Sequence, residues 1–215
     1  MHDFYPEVQL IATWSSSFDL ANTVNEPLTG RKFTFMLYPF SLWEIYPTNT
    51  PLAHQRLLPT YIQYWLYPDV YLTEGNIKIK NLEELTQDYL YKDILSFQQI
   101  RKPDLIFSLL QAVALQLWSE VSYTELAGLL SVNKQTIEQY ITVLEQAFII
   151  YRLPSFHRNM RNELKKSKKI YFRDTWIRNA LIKNINSMDL RTDQGALREN
   201  FVLNERKKHT SNTLQ

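Results

Sequence analysis

The sequence predicts an α+β fold, mainly helical, with short strands around a helix-turn-helix. Three observations predict it. Apolar residues recur at helical spacing through most of the chain after Tyr61, notably in Leu82 to Phe97 and Leu105 to Leu117. Short runs of β-branched and aromatic residues lie at Val8 to Thr13, Lys32 to Leu37, Phe148 to Leu153 and Lys169 to Phe172. Tyr123 to Ile141 has the residue order of two helices crossing at a tight turn.

Bulk properties narrow the function classes. Hydrophobic residues make up 45% of the 215, enough for a core. The net charge of +2 does not announce a nucleic-acid binder, so local clustering must decide that question. There is no cysteine, which removes disulfides and thiolate zinc sites. No apolar run approaches the ~18 residues of a membrane span, and no signal peptide precedes the first strand, so a cytoplasmic protein without a membrane partner is expected.

In chain order, Val8 to Thr13 (VQLIAT) reads as a buried strand and Lys32 to Leu37 (KFTFML) as a second. Tyr38 to Thr60 carries Pro39, Pro47, Pro51 and Pro59 and reads as turn and loop. A helix is expected over Tyr61 to Tyr67, ended by Pro68, and another over Leu82 to Phe97. A further short strand is expected near Val70. Pro103 and Asp104 signal the start of a long apolar helix, Leu105 to Leu117. The polar residues Thr210 to Gln215 are expected to fray.

The best local motif is YTELAGLLSVNKQTIEQYI. Ser122 can cap a helix holding Leu126, Ala127 and Leu130. Ser131-Val132-Asn133 form a turn, and Lys134 to Gln146 form a second helix with Ile137, Ile141 and Leu144 on one face. Ala127 allows a close crossing and Val132 plugs the turn. Strands at Phe148 to Leu153 and Lys169 to Phe172 would make a wing. Between them RNMRNELKKSKK sets Arg158, Arg161, Lys165, Lys166, Lys168 and Lys169 against Glu163, a basic tip suited to phosphates. Lys134, Gln135 and Thr136 open the second helix and are candidates for nucleic-acid contact. Glu138 beside them opposes phosphates, so base reading is expected to be weak. A packing module with a solvated basic loop is the competing reading.

Longer strings resemble a widespread prokaryotic group of AAA-type P-loop ATPases. IATWSSSFDLANTVNEPLTGRKFTFMLYPFSLWEI resembles the end of their ATPase domain. YLYKDIL, EVSYTELAGLLSVNKQTIEQYI, KIYFRDTWIRNALI and LRTDQGALRENFVLNE resemble the region of unknown function that follows it. The resemblance implies a remnant of ATPase sheet over residues 1–47, a helical linker or lid over 48–103, a winged helix-turn-helix over 104–175, and a truncated start of a nuclease-like α/β domain over 176–215. It implies nucleotide-sensing positions at Thr13 and Ser15. Arg31 is either an arginine for phosphate charge or a surface turn cation. Glu199 matches an acidic position of the nuclease-like fold, although a structural acid is the simpler reading.

The full-length family uses ATP and magnesium and can self-associate through its ATPase portion. This chain holds no GxxxxGK[ST] string, so it is expected to bind neither alone and not to hydrolyse ATP. The competing functions are a stand-alone winged-helix DNA-binding regulator and a nuclease-related enzyme.

One imbalance stands out. There are 5 tryptophans and only 4 glycines, where about 7% glycine is usual. By the resemblance, Trp14, Trp65, Trp118 and Trp176 stand where glycine is expected, and only Trp43 fits its context. Such sites need φ > 0 or close backbone approach. Translation of glycine UGA codons as tryptophan would produce this pattern. If the tryptophans are real, Trp14 should crowd the sensor loop and Trp176 should distort a turn, at about 1–3 kcal/mol per overpacked site.

Overall fold

The computed structural model describes residues 11, 13, 33, 35–88, 90, 102–116, 119–153 and 168–213. Most of the expected ATPase remnant lies outside them, including all of the first strand but Ile11 and Thr13. In the second expected strand, Phe33 and residues 35–37 are described and none is in a strand. Phe33 and Leu37 are almost fully exposed, and no described strand offers pairing to their main chain.

The proline-rich stretch forms helices where the sequence predicts loop. Helix α1 (Leu42–Ile45) starts at a capping box in which Ser41 and Glu44 satisfy each other's backbone N–H. A 3-10 turn, Tyr46–Thr48, follows. Helix α2 (Pro51–Tyr64) has Pro51 in its first turn and Thr50 accepting from the backbone N–H of Ala53. Proline there has no N–H to lose and its φ is already helical. Pro59 is carried inside the same helix. Pro68 also opens a helix, α3 (Pro68–Leu72), so Val70 is helical and the strand expected there is absent. Helix α4 (Asn76–Gln87) begins six residues before the expected Leu82 start.

The middle of the chain matches the sequence reading closely. Helix α5 (Pro103–Leu115) is followed by β1 (Glu120–Val121), α6 (Tyr123–Leu129), α7 (Lys134–Gln146), β2 (Ile150–Leu153) and β3 (Lys168–Phe172). The antiparallel sheet has the order β1-β3-β2, with Leu153 opposite Lys169 and Val121 opposite Lys168. This order of helix, strand, two helices and hairpin is that of a winged helix-turn-helix. Ser122 caps α6 and Asn133 caps α7. At the turn, the N–H of Val132 donates to the carbonyl of Ala127 at 3.0 Å, and Ser131 takes φ 54°.

Two apolar clusters hold the described residues together. The first gathers Leu109, Leu110, Leu126, Ile137, Ile141, Leu144, Ile170 and Phe172 beneath the sheet. The second gathers Ile62, Trp65, Leu66, Leu82, Leu197 and Phe201 among the flanking helices. Helix α8 (Thr175–Leu181) joins them: Ile177 and Leu181 enter the first cluster and Trp176 the second. Packing is therefore continuous across residues 175 and 176.

Helix α9 (Gln194–Thr213) closes the structure and stays helical beyond Thr210, where the sequence predicts fraying. It also completes the sheet. β1 reaches only Lys168 and Lys169, which leaves the rest of that edge of β3 without a strand. Asn200 accepts from the N–H of Phe172 at 2.9 Å and donates to its carbonyl at 2.8 Å, and Asn204 donates to the same carbonyl at 2.9 Å. Carboxamides thus replace the missing backbone partner.

Candidate nucleic-acid interface

The exposed start of α7 is built by its cap. Asn133 Oδ1 accepts from the backbone N–H of Thr136 at 2.7 Å and from the Thr136 hydroxyl at 2.8 Å. This fixes the first turn and directs its remaining N–H groups outward. Lys134 and Gln135 are exposed there. Lys134 lies 3.7 Å from Glu138, a solvated pair worth little to stability. That pair lowers the positive field at the helix start.

The structure does not gather all the sequence candidates. β2 ends at Leu153 and β3 begins at Lys168, so residues 154–167 connect two paired strands. Arg158, Arg161, Lys165 and Lys166 belong to that connection and lie outside the described residues. Lys168 is half-buried on β3. Lys169 is committed elsewhere: its ammonium meets Glu199 Oε1 at 3.1 Å, where the Tyr171 hydroxyl also donates at 2.5 Å. Burial pushes the Glu199 carboxyl up, but these two partners outweigh it and hold it low. Glu199 therefore pins α9 to β3. Among the described residues no cluster of acids and histidines could hold a metal ion. Thr13 is exposed, and Ser15 and Arg31 lie outside the described residues.

Sequence reading misses a buried polar knot. Asp193 receives Arg178 and both the Nε and Nη2 of Arg191, the latter two at 2.8 Å. Arg191 also reaches the carboxamide of Asn179 at 2.9 Å and the carbonyl of Asn184. Arg178 Nε donates to the Ala114 carbonyl at 3.1 Å, and Asn179 donates to the Gln63 carbonyl at 3.1 Å. Burial pushes the Asp193 carboxyl up, yet the two guanidinium groups hold it well below the usual carboxylate range. The signal is present as RTD and DTWIRN, polar residues packed into an apolar stretch.

Beside the knot, Asp174 caps α8, accepting from the Trp176 N–H at 2.6 Å. Burial pushes its carboxyl up to about 7, against the Trp176 and Ile177 N–H groups, the Tyr67 hydroxyl and the Lys208 charge. Lys208 is itself buried, donating to the Phe40 carbonyl at 2.8 Å and to Glu205 at 2.7 Å.

The tryptophans divide. Trp65 has φ 66° and ψ −175°, a region open essentially to glycine alone. Gly75 has nearly the same conformation, at φ 68° and ψ −151°. The Trp65 indole is buried against Phe201, and its N–H has no hydrogen-bond partner among the described residues. Trp176 corrects the expectation of a distorted turn. It sits in the first turn of α8, fully buried, and donates to the Leu82 carbonyl at 3.1 Å. Trp14 and Trp118 lie outside the described residues.

Comparison with known proteins gives a family without an assigned role. An uncharacterized protein of Haemophilus influenzae is 21% identical over 178 residues, covering 79% of this chain. The chain spans only 44% of that relative's length. No solved structure matches. The model of a domain of unknown function, DUF8612, matches residues 55–188, from within α2 to the 3-10 turn at Met188–Leu190. That match covers more than half of the chain, and the chain belongs to the DUF8612 family.

Proposed function

We propose that this chain supplies the winged-helix part of a larger AAA-type ATP-binding protein and that the winged helix contacts nucleic acid. The observation that carries the nucleic-acid reading is the capped, solvent-facing start of α7 on a module whose β2–β3 connection is strongly basic in sequence. Contacts of this kind position a protein on phosphates without reading bases. Glu138 next to Lys134 favours that mode. The ATPase part of the reading rests on the string resemblance alone; the Haemophilus relative adds only that such a chain can be part of a longer protein. ATP hydrolysis would require a P-loop that this chain does not contain.

Two measurements test the proposal separately. Fluorescence anisotropy with short duplex DNA should show binding that weakens linearly in log salt, at about 0.9 per phosphate neutralised. Absence of binding at low salt sinks the nucleic-acid reading. Flanking genomic DNA should encode GxxxxGK[ST] in frame upstream. Its absence sinks the ATPase reading, and a regulator that acts without an ATPase is then the better account.

A further inference from the structure

The face of the sheet turned away from the winged-helix core carries Tyr151, Leu153 and Tyr171. Helix α9 crosses it and, with Tyr38, leaves a cavity of about 440 Å³. This is the size of small-molecule sites. Its apolar walls are Tyr38, Leu153 and Leu203, and its cations are Arg206 and Lys207. The Lys207 ammonium sits 3.7 Å from the centre of the Tyr151 ring, which is stacked on Tyr171.

Among the described residues the charge here is unbalanced. Arg173 acts on both Tyr151 and Lys207. Glu145 also reaches Lys207, but it is bound to the backbone and guanidinium of Arg152, each at 2.7 Å. Glu199 is taken by Lys169 and Tyr171.

Two buried polar atoms in this neighbourhood have no hydrogen-bond partner among the described residues. One is the hydroxyl of Tyr151, whose residue is 4% exposed and lines the cavity. The other is Nε of Arg173. Leaving such groups unsatisfied in a buried setting is unfavourable. Both can donate, so each calls for an acceptor. The backbone hydrogen bonds of β2, β3 and α9 give no reason for either to be left unmet.

We propose that this cavity binds a small phosphate monoester with a flat apolar body, of the nucleoside monophosphate class. The phosphate meets Arg206, Lys207 and the Tyr151 hydroxyl, and the base lies against Tyr38, Leu153 and Leu203. A dianion matches paired cations in a partly desolvated setting. The site is separate from the start of α7, and it stands whether or not the winged helix binds nucleic acid.

Isothermal titration of the whole chain with AMP, GMP, CMP and UMP tests this, with inorganic phosphate and the matching nucleosides as separate probes. At least one nucleotide should bind saturably and more tightly than either of its parts. Arg206→Gln, on the exposed side of α9, should weaken that binding about tenfold, as removal of a charged hydrogen bond does. Tyr151→Phe should weaken it too, while raising the melting temperature of the unliganded protein because an unmet hydroxyl is removed. No binding by any nucleotide at millimolar concentration overturns the proposal. So does inorganic phosphate or nucleoside binding as tightly as the nucleotide. Unchanged affinity in a folded Tyr151→Phe variant overturns the placement of the phosphate.

Discussion

Two charged regions of this molecule have opposite construction. Under α8, the Arg178 and Arg191 side chains are 4% and 0% exposed, and Asp193 and main-chain carbonyls answer both. At the start of α7, the Lys134 side chain is 58% exposed and, among the described residues, pairs with Glu138 along its own helix. Burying a charge is tolerated only when its partners are complete, so the first region is architecture. The second costs little to leave open and is free to meet a partner. Charge alone does not mark a binding surface; what matters is whether the protein has already answered it.

The contrast can be broken first at the knot. Asp193→Ala leaves two buried guanidinium groups without their anion and should cost about 3–5 kcal/mol in urea unfolding. A loss below about 1 kcal/mol would show that water reaches the knot and that it is not structural.

Asp174 gives the next effect, through pH. In the native state it keeps a proton to about pH 7, whereas the unfolded chain releases it near pH 4. The native form thus binds more protons between those values, so this group's contribution is full below about pH 4 and is lost as pH rises towards 7. Asp193 acts in the opposite sense: its contribution is present above about pH 4 and is lost on further acidification. Unfolding followed from pH 4 to 7 should show stability falling, and Asp174→Asn should flatten that fall. An unchanged slope in the variant would remove Asp174 as its cause.

Trp65 yields a smaller effect with an unusual order. Alanine normally outperforms glycine at exposed and helical positions, but here the backbone is in a glycine region. Trp65→Gly should therefore be more stable than Trp65→Ala by about 1–3 kcal/mol. The reverse order would show that the strain is not real and would weaken the codon explanation. Finding UGG at codon 65 would end that explanation.

The two helices over Tyr123–Gln146 are legible in the sequence because their signals are local. Ser122, Ala127, Val132 and the apolar spacing of Ile137, Ile141 and Leu144 settle two helices and their crossing without distant contacts. The α7 bounds, Lys134–Gln146, agree with the sequence reading for that reason. Prolines mislead because one residue type both ends helices and starts them. Thr50 and Ser41 are the cues that Pro51 and Leu42 open helices. The knot's members stand out locally in RTD and DTWIRN, but their pairing does not, because Gln63, Ala114, Asn179 and Asp193 meet only once α2, α5 and α8 have packed. Glu199 and Lys169 each stand out in the sequence, but for separate roles, and only the fold shows that each occupies the other.

The functional reading rests on the start of α7 and the basic β2–β3 connection touching nucleic-acid phosphates. The direct measurement is the salt dependence of duplex DNA binding by the wild type, by Lys134→Ala, and by a variant with Arg158, Arg161, Lys165 and Lys166 all changed to Ala. Lys134→Ala should keep an unfolding free energy within about 0.5 kcal/mol of wild type, as other surface changes do. Both variants should bind more weakly, with a salt slope reduced by about 0.9 for each phosphate no longer neutralised. Wild-type affinity and an unaltered slope in both folded variants would refute phosphate recognition by this surface.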